Sequence, residues 1–111
     1  MGYRSKVIIG VKEGKLSKGF EDILSKHDIK LSPDWLRVCV QDGMKIYTFY
    51  QIKWYTMDSW CTDIMDYLEK IYNNEEDDVF CIGLGEDGIT HSEIGEYWEF
   101  VDEEHTITLI N

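Results

Sequence analysis

The chain has 111 residues, of which 43% are hydrophobic and 14% aromatic, so it fits one compact domain with enough apolar material to exclude wholesale disorder. Its 22 acidic and 11 basic residues give a formal net charge of −11 at pH 7. No apolar run approaches the roughly 18 residues of a membrane span, which excludes a spanning helix.

The first half of the chain predicts a strand and then a helix. A β-branched run bounded by glycine-containing turns predicts a strand over residues 4–11. Ser17 is suited to cap a helix over residues 17–27, in which apolar residues recur along one face.

A hairpin is expected next. Strands are predicted over residues 35–41, after the only proline, and over residues 44–55. The Asp42-Gly43 pair between them is a strong hairpin signal, because both positions of such a turn need positive φ angles.

The second half predicts a helix, a strand and a closing hairpin. Apolar residues recur at helical spacing from residue 58 or 59 to residue 73, and residues 79–84 predict a fourth strand. The pattern then weakens, but residues 97–101 and 106–110 are suited to a final hairpin. The resulting order is β-α-β-β-α-β with a β-rich C-terminal extension. This order predicts a single α+β domain over residues 1–111, with a ferredoxin-like split βαβ sheet and two helices on one face.

Period-two alternation assigns the side chains of the first three strands to the two faces of that sheet. Val7, Ile9 and Val11 are expected under the helices, together with Leu36, Val38, Val40, Ile46, Tyr50, Ile52 and Trp54. The opposite, open face combines cations with aromatic rings, as in domains that stack unpaired bases. The binding residues expected on it are Arg4, Lys6, Arg37, Tyr47, Phe49, Lys53 and Tyr55. The alternative is that the C-terminal hairpin or a second copy of the chain covers this face and makes the aromatic residues part of a core.

The acidic groups are concentrated in the second half. Residues 1–55 hold ten basic and six acidic groups, whereas residues 56–111 hold sixteen acidic groups and one basic group, Lys70. This asymmetry predicts a polarised surface whose acidic side repels phosphate and attracts basic partners. A purely solubilising role for the acids is the alternative.

No motif predicts catalysis or a bound cofactor. Residues 83–88 match G-x-G-x-x-G, but Glu86 and Asp87 would place negative charge where a dinucleotide's phosphates belong. The acidic run at residues 73–78 lacks the glycine and late glutamate of a calcium loop. The histidines have no ligand spacing, so no metal site is expected. The three cysteines form no CxxC pair and predict buried, reduced thiols. We therefore expect a non-enzymatic cytoplasmic protein without a cofactor.

Three short motifs carry a resemblance to a known group of proteins. They are GYRS at residues 2–5, IKWY at residues 52–55 and IGLGEDG at residues 82–88. The chain resembles small, functionally uncharacterised phage and prophage proteins that begin with a GYRS-like strand, carry a KWY-like centre and reach an IGED-like strand end. The resemblance departs at Lys6 and at the inserted Leu84-Gly85. It implies a phage setting and a host-cell cytoplasm, and it transfers no site residues.

The leading functional hypothesis is an acidic inhibitor. Small, acidic, non-enzymatic phage proteins commonly bind host machines, and nucleases and CRISPR complexes present basic channels for phosphate backbones. An array of carboxylates would occupy such a channel, as in an anti-CRISPR protein or a nucleic-acid mimic. The carboxylates expected to bind the partner are Asp63, Asp66, Glu69, Glu75, Glu76, Asp77, Asp78, Glu86 and Asp87.

Two alternatives belong to other classes. The first is a nucleotide-binding or single-strand-binding module that uses the open sheet face. The second is self-association through the sheet, which would give a homodimer. Binding to a host protein or ribonucleoprotein with a basic channel is expected more than direct binding to nucleic acid. No membrane partner is expected.

Overall fold

The structure is a computed structural model that describes residues 4–27, 36–52, 54, 59–102 and 108–109. Two helices and seven strands are present in this part of the chain, along with short 3-10 helices at Glu76–Asp78 and Tyr97–Glu99. In chain order the elements are β1 (Ser5–Lys12), α1 (Lys15–Lys26), β2 (Leu36–Gln41), β3 (Met44–Ile52), α2 (Ser59–Asn74), β4 (Val79–Gly85), β5 (Thr90–Ile94), β6 (Val101–Asp102) and β7 (Thr108–Leu109).

Five of the strands form one open antiparallel sheet in the order β2-β3-β1-β4-β5. The strands β6 and β7 pair separately as a two-stranded sheet. The predicted α+β class, the open antiparallel sheet and the two helices are confirmed. The finer ferredoxin-like topology remains a proposal, because a fifth strand, which the sequence pattern did not predict, extends the sheet beyond β4.

The helix α1 begins two residues before the predicted cap at Ser17. Its N-cap is Gly14, whose φ of 121° is open to glycine and strained for other residues. The Ser17 hydroxyl donates to the Gly14 carbonyl oxygen and accepts from the Gly14 N–H, both at 3.0 Å. Ser17 therefore caps the helix from inside its first turn rather than from the position before it.

The predicted hairpin at Asp42-Gly43 is confirmed. Gln41 of β2 pairs directly with Met44 of β3, so the turn contains two residues. Their φ angles of 53° and 79° are the positive values that such a turn requires.

The main core lies between the sheet and both helices. Phe20 and Leu24 of α1 and Ile64 and Leu68 of α2 are buried there. The strands contribute Val7, Ile9, Val11, Leu36, Tyr47, Phe49, Ile52, Val79, Cys81 and Ile94 to the same cluster. The predicted inward positions of β1 are therefore correct.

The predicted faces of β3 are wrong over most of its length. Tyr47 and Phe49 are fully buried under the helices, whereas Ile46 belongs to the cluster on the opposite face. The cause is an irregularity in the β1–β3 pairing: between the pairs Val7–Phe49 and Ser5–Ile52, one residue of β1 faces two residues of β3. An extra residue reverses the alternation, so Ile52 and Trp54 lie inward as predicted while the residues before them are exchanged.

The C-terminal segment covers part of the face opposite the helices. Phe80 and Val101 are buried there, and the ring of Phe100 stacks on that of Phe80 at 4.8 Å between centroids. A Cβ atom at Gly10 would collide with the Phe80 ring, so glycine is needed at that position. The predicted final hairpin is present only as the short β6–β7 pair. The alternative prediction, a C-terminal cover on this face, is therefore correct for this part of the sheet.

The edge strand β2 departs from the predicted burial. Val38 and Val40 were expected in the core, but their exposed fractions are 39% and 53%. Cys39 was expected to be a buried thiol and is exposed, whereas Cys61 and Cys81 are buried as predicted. Because β2 lies at the edge of the sheet, it has a neighbouring strand on one side only, and its apolar side chains are less covered than those of a central strand. This position explains why the predicted burial of Val38, Cys39 and Val40 is wrong.

Candidate binding surfaces

The three acidic residues of α2 do not form one row. Asp63 accepts from the ring Nε2 of His27 at 2.7 Å and lies 3.5 Å from Lys26 Nζ, so it joins the two helices. The hydrogen bond from His27 lowers the pKa of Asp63. Asp66 and Glu69 are exposed. Because each residue turns a helix by about 100°, Asp63 and Glu69 point about 120° apart.

The acidic run after α2 lines a cleft. Glu75, Glu76 and Asp77 are exposed and Asp78 is half-buried around the short 3-10 helix. Glu76 and Asp77 form one wall of a cleft of about 340 Å³. The remaining lining residues are Asp42, Met44, Val79, Phe80, Glu96 and Phe100. We call this the acidic cleft.

The acidic cleft combines carboxylates with aromatic carbon. Four of its side chains are acidic, Asp42, Glu76, Asp77 and Glu96, and they come from three separate places in the chain. The stacked rings of Phe80 and Phe100 form part of its lining. Carboxylates beside an aromatic surface can hold an arginine or lysine side chain through ion pairs and apolar contact with its stem.

The sequence pattern did not indicate Asp42 as part of the acidic set, and it indicated Glu96 only as one of several further carboxylates in the second half of the chain. The strand order would have indicated that Asp42 lies near Glu76 and Asp77. The β2–β3 turn and the start of β4 both meet the same end of β1, since Lys12 pairs with Met44 and Val11 pairs with Val79. No comparable signal placed Glu96 beside this turn, because the segment after β5 follows no pattern.

Glu86 and Asp87 lie away from the acidic cleft. They follow β4, whereas Glu76 and Asp77 precede it, and seven strand residues span about 20 Å. The predicted acidic set is therefore divided into a helix surface, the acidic cleft and the β4–β5 turn. The structure does not bring the whole set together.

A second cleft lies at the opposite end of the sheet, on the face away from the helices. Its volume is about 430 Å³ and its lining residues are Arg4, Ser5, Lys6, Tyr50, Leu84, Gly85 and Glu86. The Lys6 ammonium lies 5.2 Å from the centre of the Tyr50 ring, and the Arg37 guanidinium carbon lies 5.9 Å from it. Burial lowers the pKa of Lys6. We call this the basic cleft.

The basic cleft contains part of the set predicted for the open face. Arg4 and Lys6 line it, and Arg37 lies beside it, near the ring of its lining residue Tyr50. Tyr47 and Phe49 are corrected to core residues, since the bulge turns them under the helices. The aromatic residue in their place is Tyr50, which the sequence had assigned to the core. Lys53 and Tyr55 lie outside the described residues.

A polar network beside the basic cleft fixes β5 against β1. His91 Nε2 lies 3.0 Å from the Ser5 hydroxyl, and its Nδ1 lies 3.0 Å from the Ser92 hydroxyl. The indole N–H of Trp54 donates to the same Ser92 hydroxyl at 3.0 Å. Ser5 is buried, so this serine–histidine contact is structural.

Two further observations concern metals and membranes. Within the part of the chain that the structure describes, no three His, Cys, Asp or Glu side chains form a group that could hold a metal ion. In the same residues, neither helix has the length and hydrophobicity needed to cross a membrane.

Comparison with known proteins adds no relative. No protein-family description matches the chain, and no curated protein or solved structure shows significant similarity to it. The resemblance to phage proteins consequently stays a prediction.

Proposed function

We propose that the chain is a non-enzymatic binding protein whose acidic surface docks onto a basic, nucleic-acid-binding surface of another protein. In the setting that the phage resemblance implies, the partner is a host defence complex in the host cytoplasm, and the chain is an anti-CRISPR-like inhibitor or nucleic-acid mimic. We also propose that its scaffold belongs to the ferredoxin-like class, extended by one strand.

One observation carries the proposal. The acidic cleft gathers Asp42, Glu76, Asp77 and Glu96 around the edges of two stacked phenyl rings. A solubilising surface has no need for such convergence, because scattered charges serve solubility equally well. An arginine or lysine side chain projecting from a basic partner has complementary charge, and its apolar stem can contact the rings.

The rest of the acidic surface supports the same role at longer range. Asp66, Glu69 and Glu75 are exposed, and the chain has a net charge of −11. The negative electrostatic field of these charges accelerates the encounter with a basic protein surface and repels free nucleic acid. Asp63 is not included in the docking set, because it joins the two helices through His27 and Lys26.

Calorimetric titration with an arginine-rich peptide, nona-arginine, tests the proposal. The variant Glu76→Gln/Asp77→Asn removes two charges from the acidic cleft, and Asp66→Asn/Glu69→Gln removes two charges from the exposed surface of α2. We expect the cleft variant to weaken binding about fivefold or more and the helix variant to change it less than about twofold. Equal effects of the two variants would show that net charge alone attracts the peptide.

A further inference from the structure

The basic cleft is an exception on a strongly acidic protein. Arg4 and Lys6 line it together with Tyr50, and Arg37 also lies near the Tyr50 ring, although the chain has a net charge of −11. Val101 and Phe100 of the C-terminal segment pack with Phe80 toward the other end of the same face. The basic cleft adjoins that covered region at Leu84, which belongs to both.

The two best-defined cations of the basic cleft have no acidic partner within the described part of the chain. Neither Lys6 nor Arg37 forms an ion pair with a carboxylate there. Their charges instead lie over the Tyr50 ring, at 5.2 Å and 5.9 Å from its centre. Lys6 is half-buried, so its charge has lost water without gaining an ion pair among the described residues. An anionic ligand would supply the missing countercharge.

The remaining lining residues indicate the size and character of that ligand. The cleft volume of about 430 Å³ is far larger than a bare phosphate ion requires and is within the usual range for sites that hold small organic molecules. Tyr50 and Leu84 provide apolar surface. The Glu86 carboxylate can accept a hydrogen bond from a hydroxyl or amino group of the ligand.

We propose that the basic cleft binds a small phosphorylated molecule of nucleotide size, with its phosphate held by Lys6 of the lining and by Arg37, which lies beside the cleft near the Tyr50 ring. Guanidinium and ammonium groups are the preferred protein partners of phosphate, and Arg37 can bind two of its oxygens at once. Tyr50 positions both cations through its ring. A single-stranded nucleic acid is disfavoured, because the acidic groups elsewhere on the surface would repel the rest of its backbone.

The site is independent of the proposed docking surface. Lys6 pairs with Leu84 near the end of β4, whereas the acidic cleft lies at the start of that strand. Loss of nucleotide binding would therefore leave peptide binding at the acidic cleft intact, and the two proposals can fail separately.

Calorimetric titration of the full chain with adenosine diphosphate, adenosine, inorganic phosphate and a short single-stranded RNA tests the inference. We expect the diphosphate to bind most tightly and adenosine not to bind measurably. Arg37→Gln and Lys6→Gln should each weaken diphosphate binding about tenfold or more. Lys12→Gln is the matched control, since it removes the same charge from the far end of β1 and should leave binding unchanged.

Each other outcome overturns the inference. Equal affinity for inorganic phosphate and the diphosphate would contradict a ligand of nucleotide size. Tighter binding of the RNA than of the diphosphate would show that the ligand of the cleft is a nucleic-acid strand and not a small molecule. An equal effect of Lys12→Gln would show that only general charge matters. Absence of binding by the wild type would remove the site altogether. Because Arg37 is exposed, Arg37→Gln keeps the test decisive even if Lys6→Gln destabilises the fold.

Discussion

Tyr47 shows how a buried polar group is satisfied in this molecule. Its ring is fully buried and packs 4.6 Å from that of Phe20, while its hydroxyl donates to the Glu21 carboxylate at 2.5 Å. The same carboxylate binds Lys45 Nζ at 2.5 Å. Burial and the neighbouring Glu21 raise the pKa of Tyr47, whereas bonds from Lys45 and Tyr47 lower that of Glu21 against the effect of burial. Tyr47 thus links β3 to α1 and is unavailable for stacking on a ligand.

His91 gives the molecule a stability that depends on pH. Burial lowers the pKa of His91, and the charge of Asp87 only partly opposes this. On acidification the unfolded chain therefore binds its proton first, near the ordinary histidine pKa of about 6.5. The contribution of His91 to the free energy of unfolding is fully present above that pH, and we expect it to be lost as the pH falls below it.

The measurement is a pair of urea unfolding curves for the wild type and for His91→Gln, taken from about pH 8 to about pH 5.5. We expect the wild type to lose more stability over this range than the variant does. Most carboxyl groups stay ionised over this pH range, so they contribute little to the change. His27 is present in both proteins, so its contribution does not distinguish them. Identical pH dependence in the two proteins would contradict the assigned role of His91.

At the scale of elements, the sequence predicted the secondary structure best where apolar residues recurred at a single helical or strand spacing. Both helices and the Asp42-Gly43 turn were predicted because their signals are local. The strand β3 was not assigned correctly, because residues 46–50 are hydrophobic or buried on both faces and a bulge then shifts the alternation. The strand β5 was missed entirely, since its His91, Ser92 and Glu93 have no apolar alternation and are held by hydrogen bonds instead.

The second helix is expected to be an energetic part of the main core. Ile64 is fully buried between α2 and the sheet, so Ile64→Ala should lower the free energy of unfolding by about 2–5 kcal/mol. The matched control is Ile89→Ala, whose side chain is 64% exposed and whose removal should cost less than about 0.5 kcal/mol. Urea unfolding of both variants provides the measurement. Similar losses of unfolding free energy in the two variants would contradict the placement of α2 in the core.

At the scale of the whole molecule, one sheet face has two clefts of opposite character. The acidic cleft lies beside Met44 and Phe80, and the basic cleft lies beside Lys6 and Leu84. The sequence predicted that charge was polarised along the chain, but antiparallel strands return the acidic second half to both ends of the sheet. Which acids converge therefore depends on strand order and on turns, and neither could be taken from composition. The position of Lys6 in the basic cleft was predictable because the side chains of β1 alternate regularly.

The central claim is that the acidic cleft is the docking site for basic side chains. Its most direct test is an NMR titration of the isotope-labelled chain with nona-arginine, repeated at about 50 mM and about 300 mM salt, because ionic screening weakens such contacts. We expect the largest amide shifts at Asp42, Glu76, Asp77 and Glu96, and we expect them to decline at the higher salt concentration. Shifts spread evenly over the acidic residues, or concentrated on α2 at Asp66 and Glu69, would contradict the account.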